Sequence, residues 1–331
     1  MSHGITLKDV LLAKQRIAPF LKPTPALNFK SLDRLFGCEL WIKFENHLPT
    51  GAFKIRGGIN LCSQLKEQGF KGGLIAASTG NHGQSVAHAG QLFGFPVKIV
   101  VPEKANMDKV RAMENFGAEV IFHGMNYSYC CVFAENFASD HDWRYVSGGD
   151  EPALVPGVGT YTLELLETIP TLDTIFVPVG GGSGASGTCI VAHSVNPKIN
   201  VIGVQSAHAD SIYQSIKTGE FCKTHSADTF AEGLATLQPF EYTLNILRQE
   251  LDDIVCVDDN ELRHAVRLLL NHTHNIAEGA GAAALAAAWQ ARSAVAGKRV
   301  GIILSGGNLT ETQLRNILED SLDDERLSGK E

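Results

Sequence analysis

Residues 174–187 read TIFVPVGGGSGASG, and this stretch decides the architecture. An apolar run passes without a spacer into a loop where four of five consecutive residues, Gly180, Gly181, Gly182 and Gly184, are glycine, with Ser183 between them. Such a run, bounded by glycine, suits a strand buried on both faces of a parallel sheet. Glycine loses more backbone freedom on folding than any other residue, so a purely structural loop rarely holds so many. In return, successive N–H groups can face an anion, and a phosphate can approach closely.

The same pattern recurs in both directions from this loop. GGLIAAS, PVKIVVP and AEVIFHG precede it, and NVIGVQS, DDIVCVDD and RVGIILSGG follow. Helix-period segments separate these runs. Strand–helix alternation through both halves implies an α/β protein with parallel sheets. Residues 49–147 hold one compact group of strand–helix units, the size of a small domain. The Gly- and Pro-rich SGGDEPALVPGVGT then reads as a return crossing. The expected division is a small domain over 49–147 and a large one over 1–48 and 148–331. Ligands in open parallel sheets gather at the C-terminal ends of strands.

Composition excludes several classes. The 331 residues carry a net charge of -8 with no cluster of Lys and Arg, which argues against a nucleic-acid surface. The N-terminus reads as a short amphipathic helix ended by prolines and lacks the pattern of a signal peptide. GAGAAALAAAWQA is too short for a membrane span and fits a buried helix. The seven cysteines are scattered without a CxxC pair, so a reducing cytoplasm is expected. After Asn308 only a helix-like segment and a charged tail remain, and no regulatory domain is expected.

Three further strand ends carry polar groups. In KFENHLPTGAFKIRGG, residues 43–58, a Pro-Thr-Gly turn sets Lys54 at the start of a helix. The partial positive charge there, together with desolvation, would lower its pKa, as Schiff-base chemistry requires. From the spacing alone, a solvated lysine that merely follows a turn is the more ordinary reading. In GLIAASTGNHGQSVAHA, residues 73–89, Ser78, Thr79, Asn81 and His82 lie where a strand gives way to a helix. They could bind a carboxylate or simply cap the helix. GIILSGGN, residues 301–308, is a buried strand ending in Ser305 and two glycines.

Other signals are weaker. Gly182, Gly184 and Gly187 spell GxGxxG, which suggests a nicotinamide-dependent oxidoreductase. That fingerprint wants an acidic residue at the end of the next strand, where Gln205 and Ser206 stand. His272 and His274 share a face only on a strand, and their flanks look helical. Asp258 or Asp259 reads as a helix cap.

Taken in order, these motifs resemble the fold type II pyridoxal-phosphate enzymes, in particular the serine/threonine dehydratase and serine racemase group. The resemblance runs from KPTPALNFKSL to LSGGN. It implies two open, twisted, mostly parallel sheets with flanking helices, pyridoxal 5′-phosphate as cofactor, an amino acid substrate and a homodimer. It implies that Lys54 carries the cofactor, with Phe53 beside the ring. Ser78, Thr79, Asn81 and His82 match the loop for the substrate carboxylate, and Asn81 also the contact to the ring's 3′ oxygen. Gly180, Gly181, Gly182, Ser183 and Gly184 match the phosphate loop. Ser305 matches the hydroxyl beside the ring nitrogen, and Glu278 an acidic residue near the ring. The implied reaction removes water and then ammonia from a β-hydroxy amino acid such as L-threonine or L-serine. Serine racemase and 3-hydroxyaspartate dehydratase share the machinery, as does β-replacement, although PTGAFK and His82 favour elimination.

The sequence departs from the pattern at three places. Ala52 replaces a serine ahead of the lysine. Thr79 stands where racemases carry a second serine base, and its methyl crowds that position. Gln205 and Ser211 occupy places where relatives bind a divalent cation through carboxylates, with Asp210 alongside. A neutral Gln and Ser suit a hard cation poorly, so no metal is expected.

Overall fold

A computed structural model describes residues 4–319. The strands are β1 Ala26–Asn28, β2 Glu39–Phe44, β3 Leu74–Ala77, β4 Val97–Val101, β5 Glu119–Phe122, β6 Arg144–Tyr145, β7 Thr174–Pro178, β8 Asn200–Ser206, β9 Asp253–Val257 and β10 Arg299–Leu304. They form a six-stranded sheet in the order β1-β2-β10-β7-β8-β9 and a four-stranded sheet in the order β5-β4-β3-β6. Every neighbouring pair is parallel except β1 with β2. All seven apolar runs noted in the sequence form strands. β1 and β6, three and two residues long, carry no periodic signal at that length. β2 was also unread, because its sequence merges with the lysine motif that follows it.

Parallel pairing of β2 with β10 matters most for function. Its register runs from Glu39 opposite Arg299 to Phe44 opposite Leu304. Two distant segments, 45–54 and 305–308, therefore leave the sheet side by side. Behind them lies the helix Gly279–Gln290, buried from Gly279 to Ala288 and packed across β7, β8, β9 and β10. Its small side chains allow that close approach: a Cβ on Gly281 would sit 2.1 Å from the carbonyl oxygen of Gly306. Asp258 caps the helix Asp259–Thr273, accepting from the amides of Asn260 and Glu261, and His274 closes the same helix at φ 57°. No group of three or more His, Cys, Asp or Glu among the described residues could hold a metal ion. No helix among them is long and apolar enough to cross a membrane. The charged tail, 320–331, lies outside the described residues.

A buried charge cluster joins β2 to two helices. Arg56, in the helix Ile55–Glu67, is fully buried. Its Nε and Nη2 donate to Glu45 at 2.6 and 2.9 Å, and its Nη1 and Nη2 donate to Glu164 at 2.6 and 2.8 Å. Lys43 Nζ donates to Glu164 at 2.5 Å and to the Thr24 carbonyl at 2.7 Å. Two cations meet two carboxylates, so the formal charges cancel. Burial pushes the Glu164 carboxyl up, but Arg56 and Lys43 outweigh it and hold it below the usual range. Removing one partner strands the others without water. Replacing Arg56 by Leu is therefore expected to lower unfolding free energy by about 3–5 kcal/mol, read by urea denaturation of the holoenzyme.

Candidate active site

The side-by-side exits of β2 and β10 place the lysine. Ala52 bridges Gly306, the Phe53 amide donates to the Ser305 carbonyl at 3.0 Å, and the Gly307 amide donates to the Gly51 carbonyl at 2.9 Å. Lys54 comes next, as the residue capping the helix Ile55–Glu67. Its carbonyl accepts from Ser85 Oγ at 2.6 Å and from the Gly58 amide at 3.2 Å. Its Nζ lies 5.0 Å from the centroid of the Phe53 ring. Desolvation pushes the amine down to about 8, against the opposing pull of the Glu278 charge. A lysine at the surface would not show this shift.

The loop after β3 caps the helix that follows it. Ser78 Oγ accepts from the amides of Gly80 at 3.2 Å and Gly83 at 2.9 Å, and the Gln84 amide donates to the Gly80 carbonyl. These bonds cap the helix Asn81–Phe93. They leave the amides of Thr79, Asn81 and His82 without an acceptor in the loop, along with the Ser78 and Thr79 hydroxyl protons. The His82 ring turns away: its Nε2 donates to the Val146 carbonyl at 2.9 Å. Burial, then the Lys54 charge, pushes that imidazole down to about 4. It is neutral, with its proton on Nε2. Asn81 Nδ2 donates to Glu278 Oε1 at 2.6 Å. Desolvation raises the Glu278 carboxyl.

The glycine loop runs from β7 into the helix Ser183–Val195. Gly182 has φ 87°, a conformation few side chains tolerate. A Cβ on Gly180 would lie 2.0 Å from the Gly233 carbonyl oxygen, and one on Gly184 would lie 3.1 Å from the Phe53 ring. The glycines therefore let this loop close against the neighbour of Lys54. Thr243 Oγ1 donates to the Gly181 carbonyl at 2.7 Å, and Tyr161 Oη donates to the Gly184 carbonyl at 2.8 Å. The first amides of the helix have no acceptor within it, which suits an anion. Ser305 is buried, and its Oγ donates to the Ala280 carbonyl at 3.5 Å.

The structure thus gathers Phe53, Lys54, the 78–82 loop, the 180–184 loop, Glu278 and Ser305 around one place. Asn308, Ser85, Thr243 and Tyr161 brace them. Asn308 and Ser85 belong to quoted motifs; Thr243 and Tyr161 come from distant helices and left no local signal. Gln205, at the end of β8, is fully buried, and its Oε1 accepts from the Tyr213 amide at 2.8 Å. Ser211 Oγ donates to the Thr236 carbonyl at 3.1 Å.

Comparison with known proteins gives the family. The sequence model of the pyridoxal-phosphate dependent enzymes matches residues 17–306. This chain belongs to that family. The L-threonine ammonia-lyase of Thermotoga maritima is 35% identical over 318 residues, covering 96% of this chain and 79% of that one. The L-threo-3-hydroxyaspartate ammonia-lyase of Saccharomyces cerevisiae is 35% identical over 304 residues, covering 92% and 93%. Among solved structures, the serine racemase of Dictyostelium discoideum matches with a TM-score of 0.86 and 34% identity, covering 92% of this chain and 99% of that one.

The residues present fit the family's cofactor. An amine poised near neutrality suits an aldehyde, and the side-chain-free loop beside unpaired amides suits a phosphate. An amine reacts only when unprotonated. Capture of pyridoxal phosphate by the cofactor-free protein should therefore rise with pH through a midpoint near 8. Stopped-flow absorbance across pH 6.5–10 checks this, and a midpoint near the ordinary lysine value of about 10.4 would contradict the desolvation argument.

Proposed function

We propose that the protein is an ammonia-lyase that converts a small β-hydroxy amino acid, of the L-threonine or L-serine type, to a 2-oxo acid and ammonia. The observation that carries this is Lys54: a desolvated amine, braced by Phe53 and Ser85, beside a loop rich in free amides. Pyridoxal phosphate, once bound, supplies the aldehyde that holds the amino group and the ring that accepts electrons from the α carbon.

The chain's own residues do the rest. Ser78 and Thr79 offer hydroxyls, and Thr79, Asn81 and His82 offer amides, to the substrate carboxylate. His82 contributes through its backbone, because its only ring N–H is committed to Val146. Lys54 Nζ takes the α proton. The loop Gly180–Gly182, with Ser183 and Gly184, would hold the phosphate through backbone N–H groups. Ser305 would offer the ring nitrogen a neutral hydroxyl, which would favour prompt loss of the β hydroxyl. Asn81 and Glu278 would lie beside the ring.

Thr79 replaces the serine that would act as a base on the opposite face, and this favours elimination over racemisation. The resemblance to the yeast enzyme supports 3-hydroxyaspartate as a second candidate substrate. We take residues 49–147 as the small domain, since every strand of the four-stranded sheet comes from it. A cytoplasmic homodimer is the assembly this reading favours. Gln205 Oε1 accepts from the Tyr213 amide and the Ser211 hydroxyl donates to the Thr236 carbonyl, which supports turnover without a divalent cation.

Replacing Lys54 by Ala should abolish 2-oxo acid formation from serine, threonine and 3-hydroxyaspartate, along with the visible band of the bound cofactor. Wild-type turnover by that variant on any of the three would overturn the assignment. Activity should also survive a chelator. Loss in EDTA with recovery on Mg²⁺ alone would place a cation in the working enzyme.

A further inference from the structure

Asn308 has been given no chemical role, yet its side chain joins three parts of the site. Its Nδ2 donates to the Thr50 carbonyl at 2.8 Å and to Asn81 Oδ1 at 2.7 Å. An amide nitrogen has two hydrogens, so both are committed. The Thr50 oxygen belongs to the backbone and can only accept. Turning the Asn308 amide over would set oxygen against oxygen there. Asn308 therefore presents N–H to Asn81, and Asn81 answers with its oxygen. This leaves Asn81 Nδ2 facing Glu278 Oε1 at 2.6 Å, with its second hydrogen uncommitted.

Glu278 could not impose this orientation unaided. An ionised carboxylate demands an N–H from Asn81, but a protonated one accepts either end of the amide. Lys54, Lys109 and Glu232 act on that carboxyl as well as Asn81, and desolvation favours its proton. Asn308 removes the ambiguity whatever the state of Glu278. Its own place follows from the pairing of 51–53 with 305–307. Gly51, at φ 66°, completes the fit: a Cβ there would lie 2.4 Å from Asn308 Oδ1.

We propose that Asn308 is a positioning residue that fixes which end of the Asn81 amide faces the bound ring, so that Asn81 offers N–H to the ring's hydroxyl oxygen. This rests on the site described under Proposed function. Asn308 donates to the Thr50 carbonyl and to Asn81, Asn81 donates to Glu278, and the polarity of this network is set by a backbone group that cannot flip.

The test uses the holoenzyme with Asn308→Asp, Asn308→Ala, Asn81→Ala and the double variant Asn81→Ala/Asn308→Ala. Asn308→Asp keeps the shape but puts an acceptor opposite the Thr50 carbonyl and Asn81 Oδ1. It should shift the visible band of the bound cofactor and lower kcat about tenfold or more, with KM changed by less than about threefold. In the Asn81→Ala background, Asn308→Ala should cost less than about twofold more, because nothing remains to be oriented. Should Asn308→Asp fail to fold, Asn308→Ala and the double variant decide. A wild-type band and kcat in both single Asn308 variants would overturn the proposal. So would a kcat loss for Asn308→Ala that persists in full without the Asn81 side chain. Wild-type band and turnover in Asn81→Ala alone would instead sink the site reading itself.

Discussion

Arg56 carries a full charge two residues beyond Lys54, with no access to water, and Glu45 and Glu164 compensate it from two different elements. Glu45 directly follows β2, Glu164 lies on the helix Leu154–Thr168, and Lys43 balances the second carboxylate from within β2. A buried guanidinium has few tolerable positions, because each displacement exposes an unpaired charge to low dielectric. The first turn of the helix Ile55–Glu67 is held by that requirement, and the segment carrying Lys54 is held with it. The cluster touches none of the groups assigned to substrate. Its effect is to make the approach to the site rigid.

A second constraint comes from the sheet. β2 and β10 are separated by most of the chain, yet their parallel register delivers 51–54 and 305–308 to one place. Backbone hydrogen bonds then tie the segments together, so Lys54 and Ser305 share a frame that side-chain motion does not disturb. The Ala-rich helix can lie close behind because Gly281 and Gly306 meet without side chains. Glu278 arrives at the N-terminus of that helix and faces Asn81 from the opposite sheet's first loop. The groups of the candidate site thus sit on element ends, while the interiors of those elements supply the stiffness.

Electrostatics inside this frame favour proton transfer at one nitrogen. Desolvation brings the Lys54 amine near neutrality, and the same environment keeps His82 uncharged. A charged imidazole beside the lysine would compete for the role of acid and repel the ammonium. Its bond to the Val146 carbonyl fixes the tautomer and removes the ring from chemistry. One titrating amine, accompanied by the Glu278 carboxyl and otherwise by hydroxyls and amides, suits moving a single proton on and off carbon.

Much of this was legible in the residues alone. Seven apolar runs named seven strands, because a buried strand needs continuous apolar sequence; four polar strand ends named the loops, because small and cap-forming residues are needed where a backbone meets a ligand. Lys54, the 78–82 loop and the 180–184 loop were visible in that way. Tertiary structure alone decided the rest. Arg56 is an ordinary residue in sequence and becomes a buried charge only when Glu45 and Glu164 converge on it. Asn308 is one polar residue after two glycines until β10 sets it against Thr50 and Asn81. His82 is one polar ring after a strand until that ring meets the carbonyl of Val146. The physical reason is common to all three: local sequence sets what a residue can donate, accept or bury, while the partner that uses the capacity is chosen by elements far away in the chain.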